Sequence, residues 1–399
     1  MDLLMLYHRM PFPPNKGEKF RSYPQVIQLA KRHRLWLACF VDDQEDYRYV
    51  PELEKLCHCF QAVPLSKRLA LSRGAWNVLC GKTLTEGYYG SQAMWRVVQE
   101  WSAGRFFDVA FAFSSGMAAY IEDLPVGRRV LDMTDLDSDK WSTYAAKSTW
   151  PMSRMFGTEA RRLAARELEL IRKCDLTFLS NERECDKVTD PALRAKVTTF
   201  KTPMLLETYE SAWGIDRDHI VGFVGTMDYK PNVEAVRWFA ENVWPALAER
   251  CPEAQWWIVG RNPTREVREL DDGQRVKVTG AVDDVRKYLK RLRVFVSPVQ
   301  AELGVQSKVL EALAAGRPTV VSRQTHEGIH AADGEEYVVA DGPEAFVDAV
   351  GGLLEDHPRC EQLAAAGIEF IRRKYDAPVL MPRFEELVMG APEPQKVAL

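Results

Sequence analysis

Two kinds of apolar spacing alternate along the chain. Short runs that are apolar throughout, such as Leu3–Tyr7 and Leu35–Val41, read as strands buried on both faces. Longer stretches whose apolar residues recur every three to four positions read as helices. In the first half the strand-like runs are those two, Phe107–Phe113, Arg129–Met133, Leu176–Leu179 and Val197–Phe200, with helices at Ser22–Arg32 and Thr158–Lys173. The series then restarts with strands at Val221–Val224, Gln255–Val259, Val276–Thr279, Val294–Ser297, Thr319–Ser322 and Tyr337–Ala340. Helices at Val233–Arg250, Asp283–Leu292 and Gln306–Ala315 lie between them, and two more close the chain. This double alternation predicts an α/β fold of two doubly wound, Rossmann-like parallel-sheet domains with helices on both faces. The expected domains are 1–205 and 206–375, joined near Thr202–Asp218, a Pro- and acid-bearing stretch without a long periodic run, with a helical segment over 376–399.

Composition agrees with this picture. The chain has 399 residues, 46% hydrophobic and 28% charged, enough apolar material for two cores and too much for bulk disorder. A net charge of −4 argues against a nucleic-acid partner. There is no apolar run of about 18 residues to span a bilayer, and the first residues lack the basic start and small-residue site of a signal peptide. Eight cysteines are scattered without a CxxC, and Cys57-His58-Cys59 has no second pair to complete a zinc site. A cytoplasmic protein with reduced thiols and no resident metal or cofactor is expected.

In parallel sheets ligands bind beyond the carboxyl ends of strands, so the strand-to-helix loops carry the candidate chemistry. The strongest runs from Ser297 to Pro318. A strand ends at Ser297, a loop containing Gly304 and Val305 follows, and a helix starts near Gln306 or Ser307 and stops at Gly316. Free N–H groups and the positive dipole end suit a phosphate there. Lys308 adds a full charge, and Glu311, one turn on, can accept hydrogen bonds from ribose hydroxyls. The plainer alternative is an amphipathic helix with Lys308 and Glu311 as a surface pair. Asp132, Asp135, Asp137 and Asp139 follow another strand and admit three readings: turn and N-cap residues, a proton acceptor with Asp135 foremost, or a cation site. His326 follows the strand Thr319–Ser322 and Ser114-Ser115-Gly116 ends another, each as a ligand-facing or an ordinary loop. Neither GxxxxGK[ST] nor GxGxxG occurs, which disfavours a P-loop NTPase or a dinucleotide dehydrogenase.

Taken with Pro13–Gly17, Asp135–Trp141, Gly225–Asn232 and Val259–Pro263, this segment resembles the nucleotide-sugar site of glycosyltransferase family 4. The likeness runs from Leu4 to about Tyr375. It is especially similar to the sugar transferases of exosortase (PEP-CTERM) exopolysaccharide systems. The resemblance implies a GT-B fold, two facing domains with a cleft, and a final helix Pro378–Met389 crossing back to the first domain. It implies transfer of a sugar from a nucleotide-diphosphate donor to a glycan or polyprenyl-linked acceptor, retaining and metal-independent. Glu311 matches the family's ribose-binding glutamate. The glutamate usual eight positions earlier is Leu303 here, with Glu302 beside it. Thr226 stands where an arginine is common and Lys230 near the usual lysine, so the diphosphate falls to Lys308, with Lys230 and Arg261 in support. Asn15, Lys16, Gly17, Gly225, Gly260, Gly304, Val305, Gln306 and Ser307 complete the implied donor site, with Asp135, Glu302 and Lys308 nearest the reaction. The departures at Leu303 and Thr226 keep a catalytically silent nucleotide-sugar-binding subunit as an alternative, beside an epimerase of the same fold.

Two basic stretches remain. Pro64–Lys82 carries Lys67, Arg68, Arg73 and Lys82 among leucines and Trp76, and Trp150–Lys173 adds six more cations. They read either as a peripheral membrane face or as apolar residues packed inward with cations in water.

Overall fold

The computed structural model describes residues 1–14, 17–216, 218–301 and 304–390. The chain forms two units, Met1–Pro203 with Leu380–Leu399, and Met204–Val379.

The first unit is built on β1 (Asp2–Tyr7), β2 (Arg34–Val41), β3 (Cys59–Pro64), β4 (Phe107–Phe113), β5 (Val126–Thr134), β6 (Leu176–Leu179) and β7 (Val197–Thr199). They form one sheet in the order β3-β2-β1-β4-β5-β6-β7. The second unit carries β8 (Ile220–Val224), β9 (Gln255–Val259), β10 (Val276–Val278), β11 (Val294–Ser297), β12 (Thr319–Ser322) and β13 (Val338–Ala340), ordered β10-β9-β8-β11-β12-β13. All pairings are parallel. Strand order reverses between β1 and β4 and between β8 and β11. These are the two points where an open α/β sheet leaves a crevice for a ligand.

The central strands are buried along almost their whole length, as their unbroken apolar runs require. Helices cover both faces and close separate cores around Trp36 and Phe107 in the first unit and Trp256 and Phe239 in the second. The expected helix Val233–Arg250 is two, Lys230–Asn242 and Trp244–Arg250. Pro245 cannot donate to the preceding turn and starts the second piece. An edge strand, β3, begins at Cys59, the last residue of the Cys57-His58-Cys59 stretch.

Residues from Leu380 on, in the helix Ala377–Met389, belong to the first unit. Phe384 packs there against Phe200, Phe178 and Phe111 with ring centroids at 4.9, 5.4 and 6.0 Å. Glu385 accepts from the Gln28 side chain at 2.7 Å and sits 3.2 Å from His33 Nε2.

Candidate functional site

In the second unit the ends of β8 and β9 are zipped together by backbone. Gly225 N donates to Val259 O at 3.0 Å and Met227 N to Arg261 O at 2.9 Å. Only glycine fits at Gly260, since a Cβ there would lie 1.7 Å from the Gly225 carbonyl oxygen. A Cβ on Gly225 would in turn strike the Asn232 amide at 2.6 Å. Across the switch point, the loop after β11 is tied to β12. Ser297 Oγ donates to Gln306 Oε1 at 3.1 Å, Gln306 Nε2 donates to Thr325 Oγ1 at 2.9 Å, and Ser322 Oγ donates to Val299 O at 2.5 Å. The Gln306 side chain is therefore spent on holding the loop, and no side chain caps the helix Ser307–Ala314 that it precedes. The first amides of that helix keep their capacity for an acceptor.

Lys308 lies in this first turn. Its ammonium donates to Asn232 Oδ1 and stands 4.5 Å above the centre of the Phe223 ring. Asn232 is fixed by its own bond from Nδ2 to Thr226 O at 3.0 Å. No carboxylate among the described residues pairs with Lys308, and burial lowers its ammonium to about 7. A half-buried ammonium without a carboxylate partner among the described residues, next to an uncapped helix start, is an arrangement that suits an anion. Glu311, one turn on, accepts from the Tyr209 hydroxyl at 3.2 Å. Burial pushes its carboxyl up to about 7, against the opposing pulls of Tyr209 and Arg286. Lys308 and Glu311 are thus not a surface ion pair. Lys230 and Arg261 are exposed, and Lys230 lies 3.6 Å from Glu234. Ser307 and Val305 are half-buried and Gly304 is exposed. Glu302, with Leu303, lies outside the described residues. His326 sits in the helix Arg323–Ile329, its Nδ1 2.7 Å from the Tyr337 hydroxyl.

In the first unit the four aspartates part company. Asp132 is fully buried and takes two bonds from Arg21 Nε, at 2.8 and 3.0 Å, and one from Gln25 Nε2 at 2.7 Å. It is a core ion pair, and its expected place in a loop cluster is corrected. Asp137 and Asp139 lie in the first turn of the helix Asp137–Lys147, where carboxylates favour the dipole. Asp135 and Asp139 are exposed; Asp139 pairs with Lys187 at 2.5 Å, and Asp135, just beyond β5, accepts from Ser180 Oγ at 2.5 Å. Among the described residues no group of His, Cys, Asp or Glu is placed to hold a metal ion. Gly17 opens the helix Gly17–Ala30, and Asn15 and Lys16 lie outside the described residues. At the other switch point His8 stacks on Phe113 at 5.6 Å, and burial lowers it to about 4, so it is neutral. Beside it Ser114 adopts a φ of 84°, rare for a residue with a side chain. Sequence alone singled out neither Asn232 nor Tyr209. Asn232 stood unremarked in Gly225–Asn232, and Tyr209 lies in the short helical segment Leu206–Ala212, far in sequence from its partner.

Residues 218–356 match the family described as Glycosyl transferases group 1. No curated protein matches the chain in sequence. Among solved structures it is similar to Anabaena HepE in complex with UDP, at 13% identity over 97% of this chain and 99% of that one, with a TM-score of 0.64. It is also similar to sucrose-phosphate synthase of Thermosynechococcus elongatus, at 15% identity over 97% and 98%, with a TM-score of 0.69. A third is OtsA, at 11% identity over 99% and 100%, with a TM-score of 0.62. HepE has further been solved with UDP-glucose. At such identities the likeness establishes the fold, GT-B, with its two Rossmann-like sheets. With the matched family it supports an enzyme of the glycosyltransferase kind.

Proposed function

We propose that this GT-B protein moves a sugar from a nucleotide-diphosphate donor, held in its second unit, to a hydroxyl of a glycan or polyprenyl-linked acceptor taken by its first. One observation carries the reading. Lys308 is a half-buried lysine without a carboxylate partner among the described residues, set in the first turn of an uncapped helix at a sheet switch point. The UDP and UDP-glucose bound by HepE, which shares the fold, point to the same ligand class.

The chemistry follows from charge. Cleaving a sugar–phosphate bond leaves negative charge on the nucleoside diphosphate. Lys308 and the helix amides offer fixed positive charge and donors where that charge grows, with little reorganisation. Lys230 and Arg261 add exposed cations near the same strand ends. Glu311, positioned by Tyr209, takes the ribose hydroxyls. Gln306 works through the loop, keeping the helix start open, and Gly225 and Gly260 let backbone approach the ligand. Asp135, polarised by Ser180, accepts the proton of the incoming hydroxyl. We read the reaction as retaining and as needing no cofactor, and the acceptor as part of exopolysaccharide assembly. These finer points rest on the resemblance to glycosyltransferase family 4.

The test is a panel of nucleotide sugars, each scored for released nucleoside diphosphate with and without lipid-linked acceptors. Release from one donor, lost in Lys308→Met, supports the reading. Donor binding without release favours the silent-subunit reading, to which Thr226 in place of an arginine already points. Absence of any nucleotide binding refutes both.

A further inference from the structure

The helix Lys67–Leu79 is turned inside out. The residues it buries are Ala70 and Gly74, both small. Its large apolar side chains face water, with Leu69 61%, Trp76 67% and Leu79 81% exposed, and Leu71 among them. At 100° per residue Leu69, Trp76 and Leu79 fall on one side, with Arg68 flanking. The reason for the inversion is local. Gly74 meets Gly87 of the helix Leu84–Tyr89 so closely that a Cβ on Gly87 would lie 2.7 Å from the Gly74 Cα. The small side is thereby committed inward. A second bare apolar cluster, Trp150, Met152 and Met155, lies at the turn between the helices Asp137–Lys147 and Met152–Lys173. Arg162 ties the helix Met152–Lys173 to the end of the helix Lys67–Leu79, donating to Val78 O at 2.8 Å and Lys82 O at 3.1 Å.

Charge follows the same map. Residues 55–85 and 140–158 contain no Asp or Glu, in a chain whose net charge is −4. Lys67, Arg68, Lys82, Lys140, Lys147 and Arg154 sit on these stretches. Exposed Trp and Leu interleaved with unpaired-sign cations match the surface of an anionic bilayer, apolar chains beneath and phosphates above. We propose that this face of the first unit docks on anionic lipid membrane, with Trp76, Leu79 and Trp150 entering the headgroup boundary. The inward-packing reading of the two stretches is corrected for Leu69, Trp76, Leu79 and Trp150, which are exposed, and holds for Leu65, Leu163 and Leu170, which are buried. No helix among the described residues is long and apolar enough to cross a membrane, so the contact is peripheral. The inference stands apart from sugar transfer, because docking needs no donor.

Cosedimentation of the full chain with phosphatidylcholine vesicles, with and without about 30% phosphatidylglycerol, tests it. Binding to the anionic vesicles only, weakened by salt and reduced at least tenfold in Trp76→Glu/Leu79→Glu, is expected. Trp150→Glu alone gives a smaller loss. The substituted sites are exposed, so melting temperatures stay at the wild-type value, and a melting shift disqualifies that variant in favour of the other. No binding, equal binding to neutral vesicles, or undiminished binding by both variants overturns the proposal. So does a wild-type dimer that the substitutions make monomeric without any vesicle binding, which assigns the face to a second copy of the chain.

Discussion

Replacing Lys308 by methionine separates its charge from its bulk. Met fills the same space over Phe223 and removes the ammonium. It leaves the Asn232 carbonyl without its donor, a cost of about 1 kcal/mol, and relieves the burial of a charge, so the variant stays folded. Two terms set the loss of diphosphate affinity. A hydrogen bond to a charged group contributes roughly 1.5–3 kcal/mol. Against it stands the cost of protonating a lysine whose ammonium sits at about 7, about 0.4 kcal/mol at pH 7 and about 2 kcal/mol at pH 8.5. The sign is fixed by the depressed value: positive charge is available below about 7 and must be restored above it. Net, the variant binds UDP about 30-fold more weakly at pH 7, a loss of about 2 kcal/mol. The gap closes to within about threefold at pH 8.5 as the wild type weakens and the variant holds level. Isothermal titration calorimetry of UDP across this range measures both numbers, and repeats in buffers of different ionisation enthalpy report proton uptake by the wild type only. Equal affinities at pH 7, or a 30-fold gap that persists unchanged at pH 8.5, refute the assignment of Lys308 as the diphosphate cation.

Other substitutions probe the supports. Gly260→Ala drives a methyl into the Gly225 carbonyl and is expected to cost more than about 3 kcal/mol in urea unfolding; an unchanged midpoint would show that the strand ends part freely. Glu311 has its carboxyl raised to about 7, so its contribution to stability is full below the ordinary carboxylate range and is lost as pH rises through 7. Thermal melts of Glu311→Gln should therefore match wild type at pH 4 and lie above it at pH 8, and the reverse order would exclude burial as the cause. Asp135→Asn should lower turnover by about 100-fold with donor affinity within twofold; a change confined to KM would remove it from proton transfer. Phe384→Ala should cost about 3–5 kcal/mol in the first unit, read from urea unfolding, and a loss below 1 kcal/mol would mean that its aromatic cluster adds little.

Much of the fold is legible because buried parallel strands write themselves as unbroken apolar runs, and β1, β2, β4, β8, β9, β11 and β12 do so to within a residue or two. β3 is harder to read because it is an edge strand, half-exposed and ending at Pro64. The switch-point loops and the helix carrying Lys308 are legible from Gly304, Gly316 and Pro318, which punctuate them. The side-chain partners are not, because Tyr209 and Glu311 stand 102 positions apart in the sequence. Asp132 shows the same limit from the other side. Its spacing groups it with Asp135 and Asp137, yet its partner Arg21 lies 111 positions away and turns it into core. The helix Lys67–Leu79 misleads for a different reason. Periodicity gives which residues share a face, and only the glycine contact beneath decides which face is hidden.

The return of Phe384 and Glu385 to the first unit bears on the order in which the protein is made. A ribosome delivers the strands of the first sheet well before it delivers the segment that seals Phe111, Phe178 and Phe200. Until then that aromatic surface stays open, and a shortened gene ending at Pro203 would leave it so for good. Anyone wishing to produce the first unit alone would have to graft residues 380–390 behind it.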